Sequence, residues 1–544
     1  MSNELERKAS IEKEREFEEG VDKKDLHDDQ AATKVVSRIT EGETTDVLPP
    51  GSVDPIYQAK AKVLNDAIQR IGMGKYQWHL FIVTGFGWFA DNLYPVVTGL
   101  ILPPVLSEFA GVKAPYIKLG QNIGLLVGAA FWGLGSDIWG RRISFNITLL
   151  IVGIFATAAG GSPNYTALCS FAAVWSIGVG GNLPVDSSIF LEALPASHQY
   201  LLIILSIWWA FGQLFGALVA WPLIGNLSCE FEAEVCRKED NMGWRYFLYL
   251  NGGLMILLWI VRFFIFNLKE SPKYLMGRGR DEEAVENVHR IARYNGKTSD
   301  LKVEDLKAVG VIAGLEDGEK EREVDKTILG ALKRSTEHFS GEHVKAIFAT
   351  KQLFWSSSLI ILIWGIIGLA FPLYNAFISV FLSLRGAEAG DGSTYITYRN
   401  LVIIAVTGVP GALWGGYSSE IPYVGRKGTL AVSTILTGVF LFASTTARTS
   451  DSLLGWNCAY SFTSNVMYGV LYGLTPELFP TKDRGTGTGL AASANRIFGI
   501  MSPIIALKAD LTTPVPIYVS GALFLAGGLL CFLIPYETRG KASL

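Results

Sequence analysis

The sequence predicts an all-α membrane protein, with twelve transmembrane helices in two pseudo-symmetric six-helix bundles. Three observations carry that expectation. Outside a polar start (1–75) and a polar middle (268–350), the chain holds about a dozen apolar stretches near the ~20 residues a helix needs to cross a bilayer core. One loop pattern is written twice, each time at the end of a long apolar run. It reads Gly133-Leu-Gly-Ser-Asp137-Ile-Trp-Gly140-Arg141-Arg142 first, then Gly416-Tyr-Ser-Ser-Glu420 followed by Gly425-Arg426-Lys427. Recurrence at matching places in two hydrophobic halves marks an internal duplication. Third, the short loops keep their Lys and Arg on one side.

Composition narrows the reading. The 544 residues are 49% hydrophobic, and the mean hydropathy of +0.30 is modest only because the polar segments dilute it. A net charge of −3 is too small to argue for nucleic acid. Residues 1–50 hold no apolar core of a cleavable signal, so the first span is expected to act as the insertion signal. There is no Gly-x4-Gly-Lys-Ser/Thr loop, so ATP is not the expected energy source. The six histidines are scattered without zinc-ligand spacing. No metal, cofactor or enzymatic activity is expected, and the lipid bilayer is the expected surrounding.

The elements follow in order. Residues 1–75 read as a cytoplasmic tail, polar and Glu/Lys/Asp-rich at first. It ends in a short helix that puts Leu64, Ile68 and Ile71 on one face, at the membrane surface. The first bundle, 76–267, is expected to span at 76–98, 117–136, 143–160, 165–185, 200–223 and 246–267. Residues 268–352 form a cytoplasmic linker of short amphipathic helices. The second bundle, 353–535, is expected to span at 353–383, 396–416, 429–447, 454–474, 487–507 and 515–535, with a kink at Pro372. Residues 536–544 are a cytoplasmic tail. Gly120, Gly124 and Gly128, and also Gly212 and Gly216, are spaced to let helix backbones approach closely.

Orientation follows from the cations. Arg141 and Arg142, Arg426 and Lys427, Lys482 and Arg484, and Arg539 and Lys541 follow spans two, eight, ten and twelve. That side is read as cytoplasmic, with both termini there. The acidic loop after span five then lies outside and carries Cys229 and Cys236, which an oxidising compartment would join as a disulfide; two free thiols are the alternative. The sequons at Asn164 and Asn226 also fall outside, where they are candidate glycosylation sites. The chain is expected in the plasma membrane, as a monomer.

Buried charge points to chemistry. Asp91 lies mid-span in the first helix, where a carboxylate costs about 2.5–3.5 kcal/mol on an insertion scale. It is a candidate for proton coupling or substrate charge, or else a structural anchor. Arg496, mid-span in the eleventh helix, cannot shed its charge. It is expected to hold Asp91 across a central cavity or to bind an anion, unless it snorkels to the surface. Asn182, Gln213, Asn375 and Asn465 are candidate cavity-lining groups, or helix–helix glue. Asp137 ends span two, where the helix dipole disfavours an anion, so it needs Arg141, Arg142 or a helix N-terminus as partner. Glu420 is expected to do the same in the second half. Glu192, Arg278, Arg426, Glu477 and Arg484 are expected in the same cytoplasmic charge network.

These motifs together resemble the major facilitator superfamily, in its sugar-porter-like division. Glu270-Ser-Pro-Lys-Tyr-Leu275 with Gly277-Arg278 is similar to the segment after that division's sixth helix, and Thr475-Pro-Glu-Leu-Phe-Pro-Thr481 with Arg484-Gly-Thr-Gly487 to that after its tenth. Pro535-Tyr-Glu-Thr-Arg-Gly540 resembles its closing motif. Gly72-Met-Gly-Lys-Tyr-Gln-Trp78, Trp88-Phe-Ala-Asp91 and Thr475-Pro-Glu477 resemble the branch of synaptic-vesicle-protein-like and organic-acid carriers. Gly180-Gly-Asn-Leu-Pro-Val-Asp186 is similar to a phosphate–proton symporter signature, but Asn182 stands at its acid, which puts phosphate in doubt. The paired glutamines of sugar carriers are missing from span seven, and the Arg usual in span four is absent. The resemblance implies a secondary transporter that works by alternating access and is driven by protons. It implies a small polar solute, with an organic anion ahead of a sugar-like metabolite. It also implies that the repeated charge motifs latch the outward-open state. A non-transporting nutrient sensor and a sugar uniporter are the alternatives.

Overall fold

The computed structural model describes residues 55–109, 111–195, 198, 201–230, 235–266, 268–308, 344–345, 347–388, 393–419, 421–479, 484–508, 513–535 and 537. Side chains are described for fewer: those of Asp137 and Arg484, and all of Glu420, lie outside the described set.

The described chain is helical throughout its long elements. After α1 (Pro55–Ile71), the first half holds α2 (Lys75–Leu100), α3 (Leu102–Glu108), α4 (Pro115–Trp139), α5 (Arg141–Gly160), α6 (Tyr165–Ala193), α7 (Leu201–Ile204), α8 (Ile207–Leu227) and α9 (Gly243–Ile260). The last runs on into a π-helical turn, Val261–Phe266. Then come α10 (Pro272–Met276) and α11 (Asp281–Tyr294). The second half holds α12 (Lys351–Asn375), α13 (Ile378–Glu388), α14 (Thr394–Ser419), α15 (Gly425–Thr445), α16 (Ser450–Leu478), α17 (Arg484–Lys508) and α18 (Val515–Cys531). Among the described residues, nine helices are long and apolar enough to cross a membrane, and α18 is apolar but shorter. A helix occupies each of the twelve expected spans.

Three departures from the expected bounds stand out. The seventh span is two helices: α12 runs through Pro372 and stops at Asn375, where Phe377 N–H closes a tighter turn on the Tyr374 carbonyl at 3.0 Å. The first span gains a separate short helix, α3, opened by Pro103 and Pro104 at its first turn, where the missing N–H costs nothing. By contrast α6 runs through Pro184 to Ala193, eight residues past its expected end at 185.

Two compact units emerge. One draws on the described parts of Met1–Gly72 and Pro272–Val324, the other on those of Met73–Ser271 and Asp325–Leu544. In the smaller unit α1 packs on α10 and α11, and Lys60 pairs with Asp281 at 2.7 Å. The Leu64, Ile68 and Ile71 face of α1 is buried in protein. The larger unit holds both halves of the duplicated bundle. Small residues set its closest contacts. A Cβ on Gly124 or Gly128 would come within 2.2 Å of the Ala173 or Ile177 carbonyl of α6. One on Gly212 of α8 would reach the Phe89 carbonyl of α2 at 2.6 Å.

Candidate functional site

The larger unit brings one acid and one base from opposite halves together. Arg496 Nη2 of α17 donates to Asp91 Oδ1 of α2 at 3.3 Å, with the two side chains 25% and 11% exposed. One turn beyond Arg496, the Gly499 carbonyl accepts from Asn122 Nδ2 of α4 at 2.7 Å, so α17 of the second half touches both α2 and α4 of the first. A row of rings crosses between the halves. Trp88 of α2 lies 4.9 Å from Trp209 of α8, Trp209 lies 4.4 Å from Tyr472 of α16, and Tyr472 lies 4.7 Å from Trp364 of α12. Tyr468 and Tyr472 sit within electrostatic range of Arg496. The Trp364 indole donates to Thr475 Oγ1 at 2.7 Å, while the indole nitrogens of Trp88 and Trp209 are buried without a hydrogen bond. A cationic group, a carboxylate and flat apolar faces converge between the halves.

A second ion pair lies deeper in the first half. Arg262, on the π turn, donates through Nη2 to Asp186 Oδ2 of α6 at 2.6 Å, and both side chains are fully buried. Arg262 also donates through Nε to the Val83 carbonyl and through Nη1 to the Phe145 carbonyl, each at 2.9 Å. Its guanidinium stacks 3.9 Å over the Phe145 ring. Sequence reasoning quoted Asp186 only within a motif and missed Arg262. The signal was a lone arginine in Leu257-Leu-Trp-Ile-Val-Arg-Phe-Phe-Ile265, as costly there as Arg496 is in its own span.

The other candidate lining residues divide. Asn182 is fully buried on α6, and neither its amide nitrogen nor its oxygen has a partner. Asn375 donates to the Tyr460 hydroxyl, and Asn465 Nδ2 donates to the Ser461 carbonyl at 2.9 Å and packs against Gly408. Both serve helix–helix contact in the second half. Gln213 is half-buried on α8.

The charge motifs form one cluster in each half, built alike. Gly140 precedes α5 with φ 103°, and Glu270 Oε1 accepts from the Arg141 and Arg142 backbone N–H groups at 2.8 and 3.3 Å. Gly425 opens α15 with φ 64°, and Glu537 accepts from the Arg426 and Lys427 backbone N–H groups at 2.9 and 3.0 Å. Each carboxylate meets the positive end of a helix. A Cβ on either glycine would lie 2.7 Å from Glu270 Oε2 or 2.5 Å from Glu537 Cδ. Arg141 pairs with Glu192 at the end of α6, and Arg426 with Glu477 at the end of α16. Arg278 lies in the smaller unit, its guanidinium 5.3 Å over the Tyr274 ring.

At the opposite end of the bundle the halves meet directly. Ser379 Oγ donates to the Gly99 carbonyl at 2.6 Å, and the Tyr398 hydroxyl donates to the Leu100 carbonyl. Cys229 and Cys236 are joined by a disulfide, and the adjacent Glu230 carboxylate accepts from Thr394 N at 2.6 Å and Thr394 Oγ1 at 2.8 Å. Glu108, unnoticed in the sequence, accepts both Arg245 Nη atoms at 2.7 and 2.6 Å and the Trp244 indole at 3.0 Å. Asn164 caps α6 by accepting from Ala167 N at 2.8 Å, and Asn226 lies in the last turn of α8.

A duplicated helical bundle with charged residues buried between its halves is the build of a membrane carrier. The chain belongs to the Major Facilitator Superfamily, which it matches over residues 80–503. It is 56% identical to the MFS siderochrome iron transporter 1 of Ceriporiopsis subvermispora, over 95% of this chain and 97% of that one. It is 28% identical to the niacin transporter NiaP of Acinetobacter baylyi, over 80% of this chain and 88% of that one. In fold it is similar to the partially occluded, inward-open xylose transporter XylE from E. coli, with a TM-score of 0.59 and 17% identity over 85% of this chain and 100% of that one. The protein is thus an integral, multi-pass membrane transporter.

Proposed function

We propose that the protein is a secondary active transporter that moves a small organic anion by alternating access, coupled to protons. The observation that carries this reading is the Asp91–Arg496 pair, which joins the two halves at the rings. Arg496 keeps its charge at any ordinary pH. An anionic solute that takes Arg496 leaves the Asp91 carboxylate without its cation inside the membrane, and a proton from the aqueous side neutralises it. Solute binding and proton binding then go together.

The row Trp88, Trp209, Tyr472 and Trp364 supplies flat apolar faces for the solute's body. The name of the niacin transporter relative, which refers to a small aromatic acid, supports an anion of that kind. In this reading the Gly140 and Gly425 clusters brace each half on the cytoplasmic side, where both termini lie, and the repeated loop motifs they belong to latch the halves there when the cavity opens outward. The Gly99–Ser379 and Leu100–Tyr398 contacts are the outer seal, beside the disulfide loop, and the chain works as a monomer in the plasma membrane.

The test is uptake of radiolabelled niacin and a panel of small organic acids into liposomes carrying the purified chain, with and without an acid-outside gradient. Accumulation should follow the gradient. Arg496→Gln should lower it at least about tenfold, the loss of one charge-assisted contact. Equal accumulation by that variant would end the reading.

A further inference from the structure

Geometry places Asp186 one helical turn from Asp91. Gly87 and Asp91 are four apart on α2 and share one face, as Asn182 and Asp186 do on α6. The two helices run antiparallel: Gln77 Nε2 donates to the Ala193 carbonyl at one end, and the Tyr94 and Trp175 rings meet at 5.7 Å toward the other. A Cβ on Gly87 would come within 1.7 Å of Asp186 Oδ2. With that contact as the register mark, Asn182 falls level with Asp91.

Charge counting then decides. The closed arrangement holds two acids and two guanidinium groups: Asp91 with Arg496, and Asp186 with Arg262. Arg262 is fixed within the first half by the Val83 and Phe145 carbonyls and the Phe145 ring. Arg496 belongs to the other half. When a solute anion occupies Arg496, or the halves part, the neighbouring sites at Asp91 and Asp186 keep two carboxylates and one guanidinium. The other buried cation of the first half, Lys118 of α4, is held further along α2 by the Pro95 carbonyl, Thr98 Oγ1 and Gln121 Oε1. Glu192 on α6 is paired with Arg141, and α5 meets Arg262 through the Phe145 carbonyl and ring. One proton from water restores neutrality. Asp186 Oδ1 and both polar atoms of the Asn182 side chain are buried without partners. An amide can accept a carboxyl proton through its oxygen and donate through its nitrogen.

We propose that the coupled proton is held jointly by Asp91 and Asp186, with Asn182 as hydrogen-bond partner of the protonated carboxyl, rather than by Asp91 alone. The inference rests on the proton-coupled reading but is tested without any solute. Arg496→Gln, in the purified full chain, stands in for the parted state. Its infrared spectrum in neutral against alkaline buffer should show a carboxylic acid band of about one carboxyl per chain beyond wild type, since the two acids titrate as a unit. Adding Asp186→Asn should remove that band, because one acid then faces one arginine. Adding Asn182→Leu instead, which changes no charge, should move the band to higher frequency as its hydrogen bond is lost. A band that survives Asp186→Asn, one unmoved by Asn182→Leu, or none in Arg496→Gln would each overturn the proposal. Loss of uptake with these band changes intact would remove the transport reading and leave the proton site standing.

Discussion

The two halves agree at one end of the bundle and differ in its middle. At the end, the first half sets a positive-φ glycine before α5, caps the helix with Glu270 and ties Arg141 to Glu192; the second repeats this with Gly425, Glu537, Arg426 and Glu477. The helices entering from the other end match too: α6 is capped by Asn164 and α16 by Thr449. Between its ends, the first half buries Asp91, Asp186, Arg262 and Lys118. The second presents Arg496, and its other mid-span bonds are neutral, such as Tyr374 to Asn457, Asn375 to Tyr460 and Trp364 to Thr475. Duplication preserved the charged shell at the helix ends. Divergence was spent where the chemistry differs.

That contrast can be broken by experiment. The largest effect is expected from Arg262→Leu, which strands Asp186 in the interior and should cost about 3–5 kcal/mol. Its neutral counterpart, Tyr374→Phe, leaves the Asn457 oxygen short of one donor and should cost about 1–3 kcal/mol. Thermal unfolding in detergent compares them, and equal losses would erase the distinction between a charged and a neutral middle. Next come Gly140→Ala and Gly425→Ala, at about 1–3 kcal/mol each for the backbone region a side chain disfavours. The same assay should find a loss in both, and a neutral result at either site would mean the shell is not truly repeated. Smallest is the paired loss of caps, Asn164→Ala and Thr449→Ala, at about 1 kcal/mol apiece. A difference between them larger than either value would show that the two halves lean on their helix starts unequally.

The fold was legible because hydrophobic length and a repeated loop are local signals. Asp91 and Arg496 were legible as candidates because each ion alone is expensive in lipid, but whether they meet was open between a pair, an anion site and a snorkelling arginine. What stayed hidden was long-range pairing. Nothing near Gly140 announces that a carboxylate at 270 will cap the next helix, and nothing near Gly425 announces Glu537; the resemblance marked those segments without giving their task. Arg262 was hidden by its apolar neighbours, which read as one more span. Asn375 and Asn465 show the ambiguity of amides: the same side chain suits a cavity wall or a seam between helices, and here both hold seams.

The π turn at Val261–Phe266 has a consequence for how this chain can vary in length. Its wider winding fixes the angle at which Arg262 leaves the helix. Removing a single residue just before it would swing the guanidinium by about 100° around the axis, away from Val83, Phe145 and Asp186 together. Surface loops generally absorb insertions and deletions, but the loss of one position here would undo the contacts by which Arg262 ties α2, α5 and α6 together.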